Sequence, residues 1–214
     1  MRQRQIWYVA YGSNLAMSRF RCYLSGGRPV GGARAYVGCR DPNDPARAEG
    51  VEVQGGIVFA SESGVWGGGM AFFDRALPGV AACRAYLVTA DQFGDIAAQE
   101  RRRAPGGEFA RDLAGLLPDV ETVVATGPGH YETVVRLGEL DDAPMFTITH
   151  HDVPALTLAA PTATYLQWIA VGLREAHAYD DATIARYLAA APGAAEVWSE
   201  AEIKELIRSE PAET

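Results

Sequence analysis

Tyr8-Val9-Ala10-Tyr11-Gly12-Ser13-Asn14-Leu15 is the stretch on which the fold turns. Uncharged apolar and aromatic residues run from Ile6 to Tyr11 and stop at Gly12-Ser13-Asn14, so the pattern predicts a strand leaving into a sharp loop. Leu15, Met17, Phe20 and Leu24 then recur at helical spacing before Gly26-Gly27, which predicts a short helix over 15–24. A strand ending at such a turn can present several backbone N–H groups together, and these attract a carboxylate or a developing oxyanion without any cationic side chain. The same residues also make an ordinary strand-to-helix turn, with Gly12 tolerating positive φ and Asn14 bonding its own backbone.

Outward from that stretch, strand patterns are expected at Ala33 to Cys39, Gly55 to Ala60, Gly67 to Phe73, Ala82 to Val88, His130 to Leu137 and Met145 to His150. Arg40 to Gly50, broken by two Asp-Pro steps, reads as a surface loop. Three glycines after Trp66 suggest close backbone approach or a bend in a curved sheet, and hence a barrel. Thr89 is placed to cap a helix over 89–103 whose apolar face, Phe93, Ile96 and Ala97, ends at Glu100. Helices are also expected over Pro161 to Ala176 and Asp181 to Ala191, with a loosely attached helix in the acidic tail beyond Glu196. Residues 104–128, rich in Gly and Pro at both ends, read as an insertion carrying a short helix. Helices interspersed among strands without strict βαβ alternation indicate an α+β single domain over 1–214.

Composition narrows the function classes. The 214 residues are 48% hydrophobic, enough for a core without disulfides. A net charge of −8 disfavours nucleic acid and anionic membranes, and the one basic run, Arg101 to Arg103, has no aromatic interleaving. Cys22, Cys39 and Cys83 are odd in number and far apart, so free thiols are expected; with no 18-residue apolar span and no signal-like core, a cytoplasmic setting is expected.

Ser13 follows a strand and precedes a helix as a nucleophile can, but the second glycine of a G-x-S-x-G elbow is missing. No motif places His130, His150, His151 or His177 as its base. His150 and His151, adjacent on a predicted strand, face opposite sides and are not expected to share a metal. Glu100 either continues the apolar helical face, partly desolvated and raised toward the range of a general base, or is a solvated helix end.

The opening stretch resembles the N-terminal signature of the γ-glutamylcyclotransferase family, whose first strand runs into a Tyr-Gly-Ser-Asn loop. Trp66-Gly67-Gly68-Gly69, the strand and helix Ala85 to Glu100, and Pro161-Thr162-Ala163-Thr164-Tyr165 with Gly172 to Ala176 agree in order. The resemblance implies a small mixed β-barrel flanked by helices, a loop of Tyr8, Val9, Ala10, Tyr11, Gly12 and Ser13 that cradles substrate, Glu100 as acid/base, and Tyr165 bordering the pocket. Tyr131 matches a family tyrosine near the site in a supporting role.

The implied reaction cyclises a γ-glutamyl amino acid or amine to 5-oxoproline with release of the amine, using no cofactor. The implied partner is the small-molecule substrate, and the resemblance allows a homodimer. Two features depart from the pattern: Arg101 follows the glutamate where the family often has glycine, and 104–128 is inserted before the next strand. Arg101 also motivates a competing expectation, a binding protein on the same fold in which an ion-paired Glu100 is a poor base. A third is cyclisation of a γ-glutamylated biosynthetic intermediate.

Overall fold

The structure, a computed structural model, describes residues 4–117, 122–124, 129–209 and 211. Strand β1 (Gln5–Ala10) is buried on both faces because its two sets of alternating side chains feed two cores. Tyr8 and Ile6 join Phe20 and Leu24 of α1 (Met17–Ser25), Phe93 and Ile96 of α2 (Ala90–Glu100) and Leu113 of α3 (Glu108–Leu116). Trp7 and Val9 join Leu166, Ile169 and Leu173 of α4 (Ala163–His177), Ile184 and Leu188 of α5 (Asp181–Ala189) and Ile203 of α6 (Glu200–Leu206).

Six strands pair in the order β2-β5-β1-β8-β7-β6, where β2 is Arg47–Gln54, β5 Val80–Thr89, β6 Thr122–Val124, β7 Thr133–Leu140 and β8 Ala143–Thr149. Pairing is antiparallel except between β1 and β8, which makes the sheet mixed. A separate hairpin joins β3 (Gly56–Ala60) and β4 (Met70–Asp74). With helices on both faces, the chain is α+β.

The β3–β4 hairpin is tied to the rest of the fold through side chains. Along β4, the Phe73 N–H donates to Thr149 Oγ1 at 3.1 Å, and that hydroxyl donates to the Phe73 carbonyl at 2.8 Å. The Ala71 N–H donates to the Tyr165 hydroxyl at 3.2 Å, while the Tyr131 hydroxyl donates to the Ala71 carbonyl at 2.7 Å. Buried backbone polar groups need partners, and here β8, α4 and the segment before β7 supply them where a neighbouring strand would otherwise do so. The seam this leaves is where the cavity lies.

Helix α2 starts as expected: Thr89 and Gln92 form a reciprocal capping box, worth about 1 kcal/mol. A 3-10 turn, Ser13–Leu15, precedes α1, and α4 lies directly against it. A Cβ at Gly172 would stand 2.2 Å from Leu15 Cβ and 2.4 Å from its carbonyl carbon, so only glycine allows that approach. Glu175, one turn on, accepts from the Met17 N–H at 3.0 Å and pairs with Arg84, fixing the start of α1.

Several sequence expectations are corrected. Ala33 to Cys39 forms no strand; Tyr36 makes a single bridge to Gly27, and the stretch wraps over the end of α2. The surface loop expected over 40–50 gives way to β2 at Arg47, an edge strand that buries only Val53, so its alternation is polar and easily overlooked. The tail helix is firmly seated: Ile203 and Ile207 are buried, and Gln167 donates to the Leu206 and Ser209 carbonyls. The insertion contributes α3, whose Ala110 and Leu113 are buried beside α2, and β6; residues 118–121 and 125–128 of it lie outside the described residues.

Candidate active site

A cavity of about 380 Å³ opens at the seam between the end of β1 and β4, walled by α1, the end of α2 and the start of α4. The loop residues Tyr8, Tyr11, Gly12, Ser13 and Asn14 line it together with Glu100, Tyr131 and Tyr165. Val9 and Ala10 do not: their side chains lie in the two cores, where they hold the strand that aims its neighbours.

Gly12 is needed for close approach, since a Cβ there would stand 2.8 Å from the Tyr165 hydroxyl. That hydroxyl also takes a hydrogen bond from the Ser13 backbone, so one amide of the turn is already aimed at an oxygen. Asn14 donates to the Tyr8 hydroxyl at 3.0 Å, and its own Oδ1 is buried with no hydrogen-bond partner among the described residues. Burial pushes Tyr165 up to about 12 and Tyr8 higher still, so both stay neutral.

Glu100 sits at the last turn of α2, half-buried in the cavity wall. Desolvation pushes its carboxyl up from the usual carboxylate range, opposed by a hydrogen bond with Tyr23 and by the charges of Arg19 and Arg34. The helix end that carries it is pinned by its neighbours. Gln99 Nε2 donates to the Tyr23 carbonyl at 3.0 Å and its Oε1 accepts from the Gly38 N–H at 3.0 Å, while Arg34 donates to the Gln99 carbonyl. Buried Asp95 accepts from the Arg40 N–H and from the Gly106 N–H.

Sequence reasoning missed Arg19, Tyr23 and Arg34. Arg19 is 2% exposed; its Nη2 donates to the Tyr36 hydroxyl at 2.7 Å, and its guanidinium lies over the rings of Tyr23, Tyr36 and Trp66 at 4.9, 4.6 and 5.5 Å. Its Nε and Nη1 have no hydrogen-bond partner among the described residues, so the ring faces and the one phenol oxygen hold the cation. The available signal was spacing: Arg19 and Tyr23 are four apart, on a helix whose Phe20 and Leu24 face inward.

After Glu100 the chain turns through a Schellman motif: the Arg103 N–H donates to the Ala98 carbonyl at 2.7 Å and the Arg102 N–H to that of Gln99 at 3.1 Å. Arg102, not Arg101, takes the left-handed position that glycine prefers, at φ 55°. Arg101 is buried with its guanidinium 5.1 Å over the ring of Phe109. Four lining arginines, Arg19, Arg34, Arg101 and Arg102, face two glutamates, Glu62 and Glu100, so the cavity is cationic in an acidic chain.

β8 ends at Thr149, so the expectation that His150 and His151 point to opposite faces of a strand fails. Their ring centres lie 4.5 Å apart with the planes tilted by 33°, and both approach buried Glu132, which accepts from the His151 N–H at 2.8 Å and meets His151 Nδ1 at 2.6 Å. These three could sit around one ion, but the Asp152 N–H donates to His150 Nδ1, which leaves the proton of a neutral ring on Nε2, the nitrogen facing Glu132. As hydrogen-bonded here, His150 offers that ion no free lone pair.

Against solved structures, the chain superposes on a γ-glutamyl cyclotransferase with TM-score 0.51 and 14% identity, covering 96% of this chain and 99% of that one. The chain has the γ-glutamyl cyclotransferase-like fold. An uncharacterized protein from Homo sapiens shares it, with TM-score 0.50, 16% identity and coverage of 97% and 100%. No protein-family model matches the sequence. Histone deacetylase 5 of Arabidopsis thaliana is 33% identical over 153 residues, 67% of this chain but 23% of that protein. The chain thus spans about a quarter of that curated relative. Among the described residues of this cyclotransferase-like fold, no helix is long and apolar enough to cross a membrane.

Proposed function

We propose that this chain cyclises the γ-glutamyl group of a small γ-glutamyl amide to 5-oxoproline and releases the amine, with Glu100 carrying the protons. The observation that supports this most directly is that Glu100, raised by desolvation, lines the same cavity as the Tyr11-Gly12-Ser13 turn and Tyr165.

In the reaction the α-nitrogen attacks the γ-carbonyl carbon, the lactam C–N bond forms, and the original amide C–N bond breaks. Two protons leave the α-ammonium and end on the departing amine, and Glu100 takes and returns them. Such general acid/base help is worth about 10² to 10⁴ in rate. The rest of the barrier reduction comes from holding the γ-glutamyl chain folded on itself against the tyrosines that line the cavity. The turn amides and the Tyr165 hydroxyl receive its anionic side.

The competing reading, a non-catalytic binder, rests on an Arg101–Glu100 ion pair. Arg101 instead lies against Phe109, and the cations acting on Glu100 are Arg19 and Arg34, which favours the catalytic reading. The four lining arginines favour a substrate whose amine portion is itself anionic, as in a γ-glutamyl amino acid. Incubating the chain with a panel of γ-glutamyl amino acids and amines and identifying products by mass spectrometry is the test. 5-Oxoproline released from at least one compound is expected; none from any would overturn the proposal.

A further inference from the structure

Six tyrosines line the cavity, and the hydrogen bonds of the fold decide what each hydroxyl can still offer a ligand. Tyr11 donates to the Ile148 carbonyl at 2.6 Å and Tyr131 to that of Ala71 at 2.7 Å, so both hydrogens are spent on the main chain. Tyr23 is hydrogen-bonded to Glu100, and Tyr36 accepts from Arg19 with its oxygen 3.5 Å from that of Tyr23. Tyr8 and Tyr165 differ. The Tyr8 oxygen accepts from Asn14 Nδ2 at 3.0 Å, and the Tyr165 oxygen accepts from the Ala71 N–H and from the Ser13 backbone. A phenol oxygen that accepts from the protein must point its own hydrogen elsewhere. Neither hydrogen has an acceptor among the described residues, and both side chains are buried in the cavity wall. A buried hydroxyl with an unspent hydrogen is a donor to which a ligand oxygen can bind.

We propose that the Tyr8 and Tyr165 hydroxyls together hold the oxyanion that forms on the γ-carbonyl oxygen, with Asn14 as the positioning residue that turns the Tyr8 hydrogen toward it. As the α-nitrogen adds to the γ-carbonyl carbon, the π pair moves onto oxygen, where both O–H groups donate to it and keep their protons. When the original amide C–N bond breaks, that pair re-forms the carbonyl of the lactam.

Glu100 lies close enough for its charge to act on both phenols, so the proton carrier and the two donors serve one reacting centre. Asn14 is buried, and its Oδ1 has no hydrogen-bond partner among the described residues, so its amide meets Tyr8 as a donor only. The Ser13 amide acts through Tyr165, holding the phenol oxygen rather than the substrate.

This proposal rests on the reading of the chain as a γ-glutamyl cyclising enzyme, and its main test does not need turnover. 5-Oxoproline carrying carbon-13 at the lactam carbonyl would be bound at saturation to the full chain. Its carbonyl stretch would be read by infrared difference spectroscopy in wild type, Tyr8→Phe, Tyr165→Phe, Asn14→Asp and Tyr8→Phe/Asn14→Asp. In Asn14→Asp the new carboxylate accepts the Tyr8 hydrogen and draws it from the cavity.

Hydrogen bonds donated to a carbonyl lower its stretch, so each phenylalanine variant is expected to raise it relative to wild type. Asn14→Asp is expected to raise it as far as Tyr8→Phe does, with no further rise in the double variant. In turnover, each phenylalanine variant is expected to lower kcat by about 10² to 10³. A stretch unmoved in either phenylalanine variant, an Asn14→Asp shift that is absent or adds to that of Tyr8→Phe, or 5-oxoproline that does not bind would overturn the proposal. Release of 5-oxoproline by wild type would in that case leave the reaction standing. A wild-type chain that releases none, while the stretch responds as expected, would instead sink the reaction and leave the two donors assigned.

Discussion

The Tyr165 hydroxyl accepts the backbone N–H of Ala71 at 3.2 Å, and the position a Cβ would take at Gly12 lies 2.8 Å from that same oxygen. One phenol thus ties α4 to the unpaired edge of β4 and sets how small the turn after β1 must be. A methyl at Gly12 has to displace the hydroxyl, while Tyr165→Phe removes the obstacle but leaves the buried Ala71 amide without its acceptor.

From this a coupling follows. Tyr165→Phe is expected to cost about 1 to 3 kcal/mol in urea unfolding, the usual range for an orphaned buried donor. Gly12→Ala is expected to destabilise as well. In the double variant the two losses should fall short of their sum by about 0.5 kcal/mol or more, because the clash is gone. Strict additivity would show that the two residues do not meet.

Helix α4 poses a contest between propensity and packing. Gly172→Ala should gain roughly 1 kcal/mol from helix propensity, but its methyl would land on Leu15 and Ala16. Overpacking against backbone costs about 1 to 3 kcal/mol or more, so net destabilisation is expected, accompanied by weaker binding of 5-oxoproline as the turn shifts. Calorimetric unfolding showing a more stable variant would contradict the close approach.

Arg102 carries backbone strain beside the cavity it lines. Arg102→Gly should stabilise the chain by about 0.5 to 1 kcal/mol, because glycine adopts φ > 0 freely. For an active chain, KM should rise for substrates with an anionic amine portion and stay level for neutral ones. Equal effects on both classes would remove Arg102 from substrate selection.

The raised Glu100 makes a linkage prediction. In the folded chain this carboxyl holds its proton at pH values where the unfolded chain has lost it, so the native state binds more protons there and stability falls as pH rises through that interval. Glu100→Gln, which cannot ionise, should therefore be more stable than wild type at neutral pH. The difference should shrink as pH drops below the unfolded carboxylate value. Parallel curves from pH 4 to 8 would show that Glu100 is not desolvated.

The parts of the site legible in the sequence were those with local signals. β1 and its turn stood out because aromatic and small residues stop at Gly12-Ser13-Asn14, and α2 because Thr89 and Gln92 cap it. Arg19 was not legible, since nothing local distinguishes an arginine stacked on Tyr36 and Trp66 from one in water; both rings arrive from distant segments. β2 was missed because an edge strand buries little, leaving Val53 as its buried residue. The stretch 33–39 carries strand-like residues, yet its amides serve Gln99 and Leu24 rather than a ladder. His150 and His151 were misplaced by a strand boundary set one residue too late, enough to turn opposed side chains into neighbouring rings.

The central claim is that Glu100 moves the protons of a cyclisation, and 5-oxoproline release by Glu100→Gln beside wild type tests it most directly, with 5-oxoproline affinity measured calorimetrically in both. The account predicts unchanged affinity and a turnover lower by about 10² to 10⁴. Turnover at the wild-type rate with Gln at position 100 would contradict it.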